Sequence, residues 1–118
     1  MTARRWLSPV AALLVAGCAE HPLLDVTHPA VAGQVGAVSR REVAHVLVLA
    51  RQHLVESGRA SHVIYRADIW SSDMIAIFHD VPPKRVGDCL ESFTYKRVKG
   101  QWQLWGRESV CGHNIPFE

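Results

Sequence analysis

The side chains best suited to chemistry in this 118-residue sequence are two histidines and the charged residues between them. His62 and His79 fall in two alternating segments that pattern as neighbouring strands, with Arg66 and Asp68 on the same predicted face. Neighbouring imidazoles can bind zinc or transfer protons, but a zinc site needs further ligands in tetrahedral geometry. We expect a solvent-facing arrangement with no cofactor and no metal, His62 and His79 being the candidates should a metal bind.

No catalytic motif accompanies these histidines. The sequence contains no glycine-rich phosphate loop, no H-E-x-x-H and no G-x-S-x-G. Binding is therefore favoured over catalysis. The alternative is a small-ligand binder or enzyme that uses a cavity between a helix and a sheet, with Tyr65 and Asp68 among its polar groups. One short helix encloses little volume, which counts against that alternative.

Aromatic residues indicate a contact surface. Trp70 falls at a predicted hairpin tip, and Trp105 is out of phase with the apolar Trp102. Exposed tryptophan beside arginine is typical of protein-contact hot spots. The other interpretation, that Trp105 covers a small core, stays open. The candidate partner-binding residues are Trp70, Trp105, Arg66 and Arg107.

The first 18 residues have the order of a secretory signal, with Arg4-Arg5 followed by the apolar segment Val10 to Ala16. Val15-Ala16-Gly17-Cys18 then resembles the lipobox of bacterial lipoprotein precursors. The resemblance implies that the Cys18 thiol receives diacylglycerol and palmitate, and that the protein is anchored by lipid. Because Ala19, not aspartate, follows the cysteine, the resemblance favours the outer membrane, with the inner membrane or cell surface as alternatives. A plain cleaved signal with an incidental cysteine is the competing interpretation.

These features divide the chain into a signal peptide (1–17), a lipidated N-terminus with a flexible tether (18–37) and a small periplasmic α+β domain (38–118). Two of the 13 Lys and Arg residues lie in the signal, so 11 remain against 11 Asp and Glu. A neutral domain lacks the basic excess that binds phosphates, which excludes nucleic acid as an expected partner.

One helix is predicted after the tether. Ser39-Arg40-Arg41-Glu42 matches the S-x-x-E capping box, so a helix should begin there. Gly58 supplies a C-cap. Between them an apolar stripe recurs at spacings of three and four residues: Val43, Val46, Leu47, Ala50 and Leu54.

The first predicted hairpin joins residues 62–69 and 73–79 through a turn at Ser71-Ser72. Pairing Trp70 with Asp73 would place one apolar set against the helix: Val63, Tyr65, Ala67, Ile69, Met74, Ala76 and Phe78. The opposite, outer face would carry His62, Ile64, Arg66, Asp68, Trp70, Ile75, Ile77 and His79.

The second predicted hairpin joins residues 90–98 and 101–110 through Lys99-Gly100. A two-residue turn leaves Cys89 one residue short of Cys111, and a single bulge, best placed at Gly106, restores the register. A Cys89–Cys111 disulfide would then close the hairpin and add about 3 kcal/mol of stability in the chain-entropy model.

One N-terminal helix packed on a four-stranded antiparallel sheet of two hairpins is an α+β fold. The element order resembles the cystatin-like arrangement. The Q-x-V-x-G of protease-inhibiting cystatins is missing from the first hairpin turn, so inhibition of cysteine proteases does not carry over. The expected function is a membrane-anchored periplasmic lipoprotein that binds another envelope or secreted protein, either as an accessory of an envelope or secretion machine or as an inhibitor or immunity protein.

Overall fold

The computed structural model describes residue 23 and residues 28–111. The signal peptide, the lipobox ending at Cys18 and much of the predicted tether lie outside the described residues. Within the described part of the chain, no helix is both long enough and apolar enough to cross a membrane.

The fold is α+β, as predicted, but the sheet has five strands where the sequence predicted four. The strands lie in chain order across the sheet, with β1 and β2 parallel and every other pair antiparallel. The elements are β1 (Ala30–Gly33), α1 (Arg40–Glu56), β2 (Val63–Ser71), β3 (Met74–Asp80), β4 (Leu90–Val98) and β5 (Gln101–Val110).

The additional strand, β1, lies inside the segment predicted to be a flexible tether (18–37) and pairs with the sheet. Ala30 to Gly33 pairs with Arg66 to Ile69 of β2, and the Gln34 amide donates to the Ile69 carbonyl at 2.7 Å. Periodicity does not reveal a four-residue strand whose pairing is made across an intervening helix. The physical reason for this pairing is that β1 gives hydrogen-bond partners to the backbone N–H and C=O groups at the edge of β2, which would otherwise be an exposed sheet edge.

Helix α1 agrees with the sequence prediction. The Ser39 side chain accepts from the Glu42 amide at 3.2 Å, and Gly58 follows the helix at a φ of 76°. The Glu42 carboxylate has a tertiary role as well, because Oε1 accepts from Arg97 Nη1 at 2.7 Å and Trp102 Nε1 at 3.2 Å. These hydrogen bonds, the one from Trp102 first, lower the Glu42 pKa. The start of the helix is thereby tied to the second hairpin.

The predicted faces of the first hairpin were largely wrong, because the register differs by one residue. Ile69 pairs with Ile75, and Ser71 pairs with Met74, so that Trp70 is the extra residue of a bulge. A one-residue shift turns every side chain of β3 to the other face. A second bulge, at Tyr65, turns the side chains at the start of β2 to the opposite faces from those predicted. The sheet residues that form the core beneath the helix are Ile64, Ala67, Ile69, Ile75, Ile77, Phe93, Tyr95 and Trp102.

The second hairpin follows the predicted register. Tyr95 pairs with Leu104 and Arg97 with Trp102. The bulge was predicted at Gly106, but Gly106 pairs with Thr94 and the extra residue is its neighbour Trp105. Cys89 and Cys111 form the predicted disulfide at the base of the hairpin. The opposite face of the sheet has its own apolar cluster, comprising Tyr65, Ala76, Phe78 and Leu90, with Val63 and Val110 packed against it.

A substitution at Gly33 tests whether β1 contributes to the stability of the domain. Its φ is 81°, and a Cβ there would clash with the Ile69 carbonyl oxygen and the Asp68 carboxylate. Gly36 also has a positive φ, 104°, but a Cβ there would meet nothing within 4 Å. We expect Gly36→Ala to lower the free energy of unfolding by about 1–2 kcal/mol, and Gly33→Ala by at least about 1 kcal/mol more. Denaturant unfolding measures both values. Equal losses would show that β1 does not contribute.

Candidate functional site

The structure brings His62 and His79 together, on the helix-facing side of the sheet and not on the predicted outer face. His79 is the penultimate residue of β3, and His62 lies in the short segment between α1 and β2. The His62 amide donates to the Arg59 carbonyl at 3.0 Å, which fixes that segment. The two Nδ1 atoms are 3.0 Å apart, a hydrogen bond in which one ring donates and the other accepts.

Charged groups from two further segments complete this polar cluster. Glu91 of β4 pairs directly with His79 in the sheet, and its Oε2 lies 3.8 Å from Nε2 of His62. Glu91 Oε1 accepts from Arg59 Nε at 2.8 Å. His62, Asp80 and Glu91 each offer one ligand atom, and these three atoms lie within 4.8 Å of one another. An imidazole nitrogen and two carboxylate oxygens at these distances can bind a proton or a divalent metal ion.

His79 is the buried member of the cluster, with no exposed surface. Its ring packs on Phe93 at a centroid distance of 4.3 Å. Burial, followed by the charge on His62, lowers the His79 pKa to about 4. His79 Nε2 has no hydrogen-bond partner among the described residues. The ring is therefore neutral at physiological pH and acts on its neighbours through Nδ1.

A row of rings extends from this cluster beneath the helix. His53 Nδ1 and the Tyr95 hydroxyl are 2.7 Å apart, and the two rings stack at 5.7 Å. Phe93 lies between Tyr95 and His79. Burial raises the Tyr95 pKa, so its hydroxyl stays protonated. The His53–Tyr95 pair is a satisfied core hydrogen bond that anchors the end of the helix on the sheet.

The two predicted contact tryptophans are both exposed, Trp70 by 46% and Trp105 by 59%. Each is the extra residue of a β-bulge, and the residues that precede them, Ile69 and Leu104, lie in one row across the sheet through Ile75 and Tyr95. A bulge redirects the side chain of its extra residue.

Both tryptophans project from the sheet face opposite the helix. Trp70 lines a cavity of about 550 Å³ together with Arg66 and Asp68. Trp105 has the Lys96 ammonium 4.5 Å from its ring centroid. Lys96 pairs with Met74 of β3, which places it on the side of Ala76 and Phe78. We call this surface, flanked by Trp70 and Trp105, the tryptophan face.

Neither arginine proposed with the tryptophans is an exposed neighbour of them, since Arg66 is a buried part of the cavity that Trp70 lines and Arg107 is on the other face. Arg66 is 5% exposed. Arg107 is exposed but lies on the helix side, with its guanidinium 5.6 Å from the Phe93 ring centroid. Tyr65 and Asp68, proposed as polar groups of a cavity between helix and sheet, are on the opposite face of the sheet. They cannot line such a cavity.

Sequence reasoning missed Arg59, Asp80 and Glu91. A signal for two of them was present, because the loop with Pro82-Pro83 brings the end of one strand next to the start of the next. Residues that flank such a connection are neighbours in an antiparallel pair. This signal would have placed His79 and Asp80 close to Glu91. Arg59 has no comparable sequence signal.

No family model, curated protein or solved structure matches this chain in the comparisons made.

The lowered His79 pKa makes stability depend on pH. The unfolded chain binds a proton near the ordinary value of 6.5 and the folded chain near 4, so stability is retained above 6.5 and falls as the pH drops between these values. The full loss is about 3 kcal/mol. Unfolding at pH 7 and pH 4 should show this steep loss in the wild type and a smaller one in His79→Leu. His45→Gln alters an exposed helix histidine and should keep the wild-type slope. An unchanged slope in His79→Leu would contradict the assignment.

Proposed function

We propose that the protein is a lipid-anchored protein-binding module of the bacterial envelope, and that the tryptophan face is its contact surface. The observation that carries the proposal is the exposure of both Trp70 and Trp105 at β-bulges on one side of the sheet. The proposal includes accessory proteins of envelope or secretion machines and inhibitor or immunity proteins.

The energetics of burial support a binding role for these residues. An indole ring left in water forgoes a large hydrophobic gain, and tryptophan is the residue type most enriched among hot spots of protein interfaces. The contrast with Trp102 is informative, because that ring is 8% exposed and its Nε1 donates to Glu42. The same hairpin thus buries one tryptophan and presents another.

The proposed compartment follows from the cysteines. The Cys89–Cys111 disulfide is typical of an oxidising space such as the bacterial periplasm. Pairing of these two leaves Cys18, within the lipobox-like segment, as the third cysteine of the sequence. A thioether-linked diacylglycerol with a further acyl chain gives stable membrane attachment. We place the anchor at the outer membrane, in accordance with Ala19.

The double variant Trp70→Ala, Trp105→Ala tests the contact surface. Affinity capture from envelope extracts with the wild type should yield a specific partner, and the double variant should bind it at least about tenfold more weakly, since two hot-spot rings are lost. Titration of the captured partner by calorimetry or surface plasmon resonance gives the change in affinity.

The matched control is Val48→Ala, Val55→Ala, which removes two exposed apolar side chains from the outer side of the helix. This variant should bind the partner like the wild type. Partner binding that survives loss of both tryptophans, or that the helix variant weakens equally, would contradict the proposed surface.

Cys18→Ser tests the anchor separately. Wild-type protein should sediment with membranes and incorporate labelled palmitate, whereas the variant should do neither because serine cannot form the thioether. Cys89→Ser, Cys111→Ser should lose the disulfide and keep the label. Palmitate incorporation in Cys18→Ser would show that the lipobox assignment is wrong.

A further inference from the structure

The polar cluster at the end of the helix has the composition of a metal site. His62 comes from the segment before β2, Asp80 from the end of β3 and Glu91 from the start of β4, and all three are half-buried. Their ligand atoms lie within 4.8 Å of one another. Ligand atoms around tetrahedral zinc are about 3.3 Å apart, from bond lengths near 2.0–2.1 Å. Side-chain rotations that move each ligand atom by about 1 Å would bring the three atoms into bonding distance of one ion.

Each of the three side chains is also held by an outer partner that leaves a ligand atom available. Arg59 occupies Oε1 of Glu91, and Oε2 faces His62 Nε2 at 3.8 Å. The Val81 amide donates to Asp80 Oδ1 at 2.8 Å, with Lys84 Nζ 3.5 Å from the same oxygen. Metal-binding residues are typically oriented by such outer hydrogen bonds.

His79 supplies the outer partner of His62. When His62 donates from Nδ1 to Nδ1 of His79, the lone pair of His62 Nε2 points toward Glu91. The His79 ring is fully buried, and its Nε2 has no hydrogen-bond partner among the described residues, so Nδ1 is the atom through which it holds His62. A neutral imidazole with one nitrogen fixed and the other open is the form in which histidine binds metal.

A cavity of about 350 Å³ lies beside His62, which lines it together with Pro29, Arg51 and Val63. Solvent therefore reaches the His62 side of the cluster. An ion held by three protein ligands keeps a fourth position for water or another small ligand.

We propose that His62, Asp80 and Glu91 bind one first-row transition metal ion such as Zn²⁺, with His79 as the positioning residue behind His62. The imidazole nitrogen favours these ions over Mg²⁺ and Ca²⁺, which prefer oxygen-only sets. His62 and Glu91 lie on the helix side of the sheet, and the site is at the opposite end of β3 from the hairpin turn near Trp70.

Calorimetric titration of the purified full-length protein with ZnCl₂, MgCl₂ and CaCl₂ tests the site. We expect one Zn²⁺ per chain and no comparable binding of Mg²⁺ or Ca²⁺. His62→Ala and the shape-conserving Glu91→Gln should weaken Zn²⁺ binding at least about 100-fold, and His79→Gln about tenfold. His45→Ala and His28→Ala remove histidines outside the cluster and should bind like the wild type.

Two measurements separate loss of the site from loss of the fold. Circular dichroism before each titration identifies variants that are unfolded, and X-ray absorption at the zinc edge of the wild type reports the ligands without any substitution. We expect a shell of one imidazole nitrogen with oxygen ligands. Unchanged Zn²⁺ affinity in folded His62→Ala and Glu91→Gln, or a shell that contains no imidazole, overturns the proposal.

Discussion

The pairing of Ile69 with Ile75 determines which side chains of the first hairpin face the helix. It requires an extra residue before the first hairpin turn, and that residue is Trp70. As a consequence, Ile75, Ile77 and His79 face the helix, where they are fully buried. The same bulge that completes the core therefore sends a tryptophan outward and brings a histidine inward. The outward position of Trp70 and the polar cluster both depend on this one change of register.

The sequence predicts some parts of this structure well, for identifiable physical reasons. Helix α1 has a capping box, an apolar stripe and a terminal glycine that all agree. The register of the second hairpin and its need for one bulge were predictable because a disulfide between Cys89 and Cys111 is a distance constraint independent of the hydrophobic pattern, although the extra residue is Trp105 and not the predicted Gly106. Local signals and one covalent link were sufficient there.

The first hairpin lacked any such constraint. Both faces of β3 are largely apolar: Met74, Ala76 and Phe78 lie on one, and Ile75 and Ile77 lie on the other. The hydrophobic pattern therefore cannot tell which of the two faces packs against the helix. Strand β1 was missed because it is short and pairs across the helix. The cluster of His62 with Glu91 depends on the β3 register, so it could not be inferred before that register was known. The exposure of Trp70 was predicted correctly from its place near a turn.

The bridge between Leu23 and Arg85 fixes the point at which the N-terminal part of the chain meets the sheet. Arg85 belongs to the connection between β3 and β4, at the same end of the sheet as the disulfide. In the proposed lipoprotein, four residues separate Cys18 from Leu23, and five residue steps of extended chain reach at most about 17 Å. Under the proposed anchoring, the disulfide end of the domain would be nearest the membrane, and both hairpin turns would point away from it. A partner approaching from the periplasm would meet the Trp70 tip first, while an ion at His62 would be held close to the lipid headgroups.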